Sequence, residues 1–224
     1  FLKIINQAQR DILHSFGSVP DSGQFYLTGG TALSYFYLQH RKSQDLDFFT
    51  PEADLLPPFS RRLEAHLAGI GMTVTRNRSF HSFVELEAGR GEERTLIHLA
   101  LDAAFRFAPT REFPEFPDLR VDGMEDLASN KLLALFGRAT LRDFIDVYCL
   151  ETMAGLTKDL LLEKARLKDP GFDPYRIGIA LERFASFRRE DVDLLMVRPV
   201  DFDLLRAHFV AWRKEIAAGL NGSE

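Results

Sequence analysis

Of the 224 residues, one is cysteine and one is tryptophan. Cys149 alone cannot form an internal disulfide, and a lone thiol inside a helical pattern reads as a core residue of a protein kept in a reducing compartment. No apolar run reaches the length that a membrane-crossing helix needs, and the opening FLKIINQAQR lacks the pattern of a signal peptide. A cytoplasmic protein with no membrane contact is therefore expected. An excess of positive charge is also lacking: Lys and Arg total 28 against 33 Asp and Glu, a formal net charge of -5. The chain as a whole thus carries no electrostatic footprint for nucleic acid, although a local basic patch on an acidic molecule can still hold a polyanion. His14, His40, His66, His81, His98 and His208 share no metal-ligand spacing, which argues against a zinc site. There are no internal repeats.

What remains is an ordinary globular composition, 46% hydrophobic and 27% charged, with enough length for one large domain or two modest ones. The informative stretch is LTGGTALSYFYLQHRKSQDLDFF, Leu27 to Phe49. It reads as a strand end, a two-glycine turn, an amphipathic helix, a basic loop and a second strand. Glycines at a strand-to-helix turn let backbone N–H groups approach a phosphate with no Cβ in the way. Gly29, Gly30 and Thr31 are the expected cradle. Asp45 and Asp47 are two apart, so on a strand both leave one face and can share a hard cation such as Mg²⁺. A metal-assisted transferase wants a third carboxylate from a neighbouring strand. Asp102 is the expected one, as metal ligand or as base, because it ends a strand that can pair beside Leu46–Phe49.

Around this stretch the periodicities predict an opening helix over Leu2–Phe16, a helix over Phe59–Ile70, and strands over Thr73–Arg78, Ser82–Glu87 and Thr95–Asp102. Ala108–Asp118 holds three prolines and reads as an extended connector. Helical patterns follow over Met124–Arg138, Leu141–Met153, Thr157–Leu167, Pro174–Phe187 and Phe202–Ala218. The fold class is α+β, with a boundary near residue 120 between a sheet-bearing half and a helical half.

In the helical half, Lys131 rises from the apolar face of ASNKLLALF and needs a partner for its charge, either a triphosphate or a buried aspartate. Arg138 falls on the same stripe. In the next helix Arg142 and Asp146 are four apart and can pair with each other. Asp122 with Glu125 has the spacing of a helix N-cap.

Three blocks now stand in order: GGTAL at Gly29–Leu33, RKSQDLDFF at Arg41–Phe49, and KLLALFGR followed by RDFID between Lys131 and Asp146. Jointly they resemble the AbiEii/AbiGii-type nucleotidyltransferases, a branch of the polymerase-β-like superfamily that includes toxins of bacterial toxin–antitoxin and phage-defence systems. The resemblance implies a nucleotidyltransferase core over residues 1–120, a small mixed sheet with helices, and a helical domain over residues 121–224 that completes the nucleotide cleft. It implies that Asp45 and Asp47 bind Mg²⁺, that Gly29, Gly30, Thr31 and Lys131 hold a nucleoside triphosphate, and that Asp146 completes the site. Arg41 and Ser43 would lie close to the phosphates, and Arg138 and Arg142 are further candidates to contact them. A tRNA end as acceptor and a cognate antitoxin as partner belong to the same expectation. Transfer to a small molecule or a protein, and a binding module without catalysis, are the alternatives.

Overall fold

The computed structural model of the chain describes residues 3–103 and 105–221, which divide into two compact units, Phe1–Met124 and Glu125–Glu224. Among them, no helix is long and apolar enough to cross a membrane.

Unit 1 opens with α1 (Gln7–Phe16), later than the periodicity suggests; Leu2 lies outside the described residues. Asn6 sets the start, since its side chain accepts the Gln9 N–H while the Gln9 side chain accepts the Asn6 N–H, a reciprocal cap that satisfies two orphan donors. There follow β1 (Tyr26–Thr28), a single helical turn α2 (Gly29–Thr31) that runs into a wide π-helical segment (Ala32–Leu38), β2 (Asp45–Thr50), α3 (Leu56–Gly69), β3 (Thr73–Phe80), β4 (Phe83–Arg90) and β5 (Glu93–Leu101). The first hairpin turns at His81–Ser82, so β3 runs two residues beyond the expected end at Arg78.

The proline-rich stretch expected to be a connector instead forms β6 (Arg111–Phe113) and β7 (Phe116–Val121). Proline cannot donate to a ladder, and the pairing shows how these are tolerated. Pro114 sits in the turn, and the partners jump from Phe113↔Phe116 to Glu112↔Arg120, so Pro117 falls in an irregularity. Among the described residues the result is a seven-stranded mixed sheet in the order β3-β4-β5-β2-β1-β7-β6.

One face of the sheet is core. Alternation in β2, β4 and β5 sends Leu46, Phe48, Val84, Leu86, Ile97 and Leu99 inward, all fully buried. Phe48 stacks on Phe16 of α1 at 3.9 Å between ring centres, and Phe25 stacks on Phe59 of α3 at the same separation. Each such ring contributes roughly 1.5–3 kcal/mol by leaving water. The same alternation sends Asp45, Asp47, Glu85, Glu87 and His98 to the other face.

Unit 2 is helical: α4 (Met124–Gly137), α5 (Leu141–Thr152), α6 (Lys158–Lys168), α7 (Pro174–Glu182) with a 3₁₀ turn Arg183–Ser186, α8 (Arg189–Leu195) and α9 (Phe202–Asn221). The short α8 is absent from the sequence reading; its seven residues carry too little apolar periodicity to stand out. Phe144, Phe184, Phe209 and Trp212 form its aromatic core, with Phe144 edge-on to Phe209 at 4.9 Å. Cys149 is buried.

Candidate functional site

The C-terminal ends of β1 and β7 and the N-terminal ends of β2 and β5 meet at one end of the sheet. There the register lines up a polar row across five strands. Glu85 opposes His98, His98 opposes Asp47, Asp47 opposes Thr28, and Asp122 follows Val121, the partner of Leu27. His98 Nδ1 lies 2.8 Å from Asp47 Oδ1, and its Nε2 lies 3.5 Å from Glu85 Oε2. Burial alone would lower the His98 pKa. The hydrogen bond to Asp47 and the charges of Asp47, Asp45 and Glu85 outweigh it and hold the imidazole above its ordinary value.

The glycines explain themselves against this row. Gly29 has φ +69, and a Cβ there would lie 2.1 Å from Asp47 Oδ2; a Cβ on Gly30 would lie 2.8 Å from Arg41 Nη2 and 3.1 Å from Ser43 Oγ. Both residues are bare so that Asp47, Arg41 and Ser43 can approach the turn. Thr31 is fully buried; its hydroxyl donates to the Asp45 carbonyl and lies 2.8 Å from Ser43 Oγ. Its side chain therefore braces the loop that presents Asp45. Arg41 is also buried, with Nη1 donating to the Lys42 carbonyl at 2.8 Å.

The structure does not bring Asp102 to Asp45 and Asp47. In the parallel β2–β5 register it lies four residues beyond His98, at the opposite end of the sheet, about 13 Å along the strand. Two carboxylates that far apart cannot share one ion, so Asp102 is not the third ligand. It accepts the Tyr26 hydroxyl instead, and burial followed by that bond pushes the Tyr26 phenol well up. Asp122 was expected at a helix cap, yet α4 begins two residues later and the carboxylate takes the Thr28 hydroxyl at 2.7 Å and the Arg106 guanidinium. Arg106 also lies over the Tyr26 ring at 4.1 Å.

Sequence reading missed His98, Glu85 and Arg106. The signal for His98 was present: it shares a strand face with Leu96 and Ala100, and the expected pairing of that strand with β2 placed some residue of that face beside Asp47.

In unit 2 the buried lysine has its partner. Lys131 Nζ lies 2.8 Å from Asp146 Oδ2, with Lys131 5% and Asp146 0% exposed. Arg138 grips Asp143 with two bonds of 2.9 and 2.8 Å, and Asp143 also accepts the Thr140 hydroxyl at 2.6 Å. Burial would raise the Asp143 pKa; the Arg138 and Thr140 bonds and the charges of Arg138 and Lys131 outweigh it and hold the carboxyl below its usual range. A depressed carboxylate stabilises the fold above its unfolded pKa, about 3.9, and that contribution disappears as pH falls through the folded pKa. Asp143→Asn is therefore expected to lower the urea midpoint at pH 7, with the gap from the unsubstituted chain closing once the pH falls below about 4. Urea titrations at both pH values check this.

A family model described as nucleotidyl transferase AbiEii toxin, type IV TA system, matches residues 11–219. The chain belongs to that family. As an AbiEii-family toxin it is a nucleotidyltransferase, and the type IV system implies a nucleotide substrate and a cognate antitoxin. An uncharacterized protein of Aquifex aeolicus is 29% identical over 197 residues, covering 84% of this chain and 87% of its own. Among solved structures, MenT4, a nucleotidyltransferase toxin of Mycobacterium tuberculosis H37Rv, has a TM-score of 0.63 at 20% identity, with 92% of this chain and 82% of that chain covered. JHP933 from Helicobacter pylori has a TM-score of 0.58 at 19% identity, with 95% and 90% covered. These likenesses establish a shared fold.

Proposed function

We propose that this AbiEii-family chain transfers a nucleoside monophosphate from an NTP to an RNA hydroxyl, a tRNA end in the first instance, in an Mg²⁺-dependent reaction centred on Asp45 and Asp47. The observation that carries the reading is the placing of these two carboxylates on one face of β2, with Gly29 opened so closely to Asp47 that no other residue fits there. The donor set suits a hard cation. It is made of the carboxylate oxygens of Asp45 and Asp47 on one face of β2. Mg²⁺ is commonly held this way, by one or two carboxylates with waters and substrate phosphates supplying the rest.

Bound there, the ion supplies Lewis-acid stabilisation of charge on the phosphoryl oxygens. The chain's own residues do the positioning. Gly29 and Gly30 offer backbone to the phosphates, Thr31 fixes the Asp45 loop, and His98 fixes the rotation of the Asp47 carboxylate. The acceptor hydroxyl passes its proton to water as its oxygen forms the bond to the α-phosphorus, while the bond to the bridging oxygen breaks and pyrophosphate leaves. Lys131, held by Asp146, is assigned to neutralising the departing charge. Arg41, Ser43, Arg138 and Arg142 remain candidates for phosphate contacts.

Outer partners of a metal-holding carboxylate are worth about 10–100-fold. His98→Ala is accordingly expected to slow transfer by about that factor and to raise the Mg²⁺ concentration needed for half-maximal rate, while His98→Asn, which keeps a donor near the Nδ1 position, recovers much of it. The reading as a whole is tested by incubating the protein with each labelled NTP and total bacterial RNA, protein and small-molecule fractions. Label in RNA is the expected result; label only in protein or small molecules contradicts the acceptor, and tight NTP binding without pyrophosphate release contradicts the reaction. Expression in a bacterium is expected to arrest growth, and Asp45→Ala to relieve the arrest.

A further inference from the structure

At the end of the sheet where β2 and β5 begin, a cleft of about 630 Å³ opens between the N-terminal stretch Lys3–Asn6 and the loop Lys42–Asp45. Its walls are tied together. The Ser43 N–H donates to the Ile4 carbonyl at 2.9 Å, and Asn6 Nδ2 donates to the Arg94 carbonyl at 3.0 Å. Lys3, Lys42 and Arg94 line it, as do Asp45 and Glu87, the latter paired with Arg94 at 2.6 Å.

Gln9 supplies the second observation. It also lines the cleft and is 1% exposed. The helix cap decides its amide orientation, because Oε1 must accept the Asn6 N–H at 2.9 Å, and Nε2 is then a donor. Among the described residues that buried Nε2 has no hydrogen-bond partner. A buried donor left unpaired is costly and calls for an explanation. In the wall of a cleft that also presents Asn6, Ser43, Gln44 and Thr95 the explanation is a ligand that accepts from it.

Chemistry says which ligand. The glycine turn lies on the β1 side of β2, and the cleft lies on the β5 side, with Asp45 between them. In phosphoryl-type transfer the attacking and leaving oxygens are roughly in line through the phosphorus. With the triphosphate at the glycines, pyrophosphate departs on that side and the acceptor arrives from the other. We propose that this cleft is the acceptor site and takes the 3′-terminal nucleotides of an RNA strand, with Gln9 Nε2 donating to a backbone oxygen and Lys3 and Lys42 facing its phosphates. The proposal rests on the nucleotidyl-transfer reading above. It answers how a chain of net charge -5 engages a polyanion, through a small local set of cations beside the reacting centre.

The test is fluorescence anisotropy with a 5′-labelled oligoribonucleotide of six residues and free 3′-hydroxyl, at about 50 mM salt where phosphate contacts are strong. Gln9→Glu keeps the capping oxygen and replaces the donor; Lys3→Glu changes a side chain that is 76% exposed and leaves the core untouched. Each is expected to raise the oligonucleotide Kd about tenfold, the scale of one charge-assisted contact. The acceptor KM should rise with kcat little changed, while the Kd for non-hydrolysable NTP analogues stays put. Unchanged oligonucleotide binding in both variants, or no binding by the unsubstituted chain, overturns the proposal. So does a rise in the NTP Kd instead, which would make the cleft a nucleotide pocket. Oligonucleotide binding that the variants weaken, in a protein that transfers no nucleotide from any NTP, would support the cleft as an RNA site and contradict the reaction.

Discussion

Asp47→Ala is expected to lower NTP-dependent transfer by about a thousandfold or more, the consequence of losing several kcal/mol of stabilisation of developing phosphoryl charge. The fold should survive, because Asp47 is on the polar face of β2 and the buried residues flanking it, Leu46 and Phe48, are untouched. Removing the carboxylate also frees His98 Nδ1 from its 2.8 Å contact and leaves the ring with Glu85. The His98 charge should then fall, since Asp47 is the chief group holding its pKa up. Steady-state rates with saturating NTP, alongside thermal melting, check the prediction. Asp102→Ala provides the contrast. Four residues past His98 and bonded to Tyr26, Asp102 should affect stability at most and leave the metal dependence of the rate intact.

The second large effect concerns the Lys131–Asp146 pair in the helical unit. Lys131→Met leaves Asp146 buried with its partner gone, and breaking one side of a buried ion pair costs about 3–5 kcal/mol. For a chain of this length that is a fall in melting temperature on the order of 10 °C. The double variant Lys131→Met/Asp146→Leu removes both charges and fills the space with apolar atoms, and is expected to regain most of the stability, because a buried pair and a packed apolar pair are often near equal. Activity should stay low in both. A double variant that regains stability and activity together would show that the lysine matters only for folding. One complication is Asp143, whose lowered pKa owes part of its shift to Lys131, so the acid limb of the stability profile should move in the single variant as well.

How much of this was legible from the residues differs from element to element. The alternation Asp45-Leu46-Asp47-Phe48 was enough to put two carboxylates on one face, because side-chain direction in a strand has period two and needs no partner. The pairing of the later strand with β2 was legible as well. Its register was not, since a parallel ladder is set by crossover length and packing rather than by local residue preference, and a shift along the strand exchanges Asp102 for His98 as the neighbour of Asp47. Pro109, Pro114 and Pro117 read locally as a break in structure, yet they occupy a lead-in, a turn and a ladder irregularity in a hairpin. The glycines were assigned to the approach of a phosphate. The structure adds a nearer reason, the approach of Asp47, Arg41 and Ser43, which no spacing in the sequence announces. Lys131 clearly required a counter-charge, and two aspartates followed on the next helix; only three-dimensional packing gives Asp146 to Lys131 and Asp143 to Arg138.

The fate of the phosphorus in the NTP tests the central claim most directly. With RNA acceptor and Mg²⁺ present, label carried on the α-phosphate should enter the RNA with release of unlabelled pyrophosphate, and label on the γ-phosphate should never do so; chelation or Asp45→Ala should abolish the incorporation. Incorporation of the γ-label, or of the α-label at an undiminished rate in Asp45→Ala, would contradict nucleotidyl transfer at the Asp45–Asp47 pair.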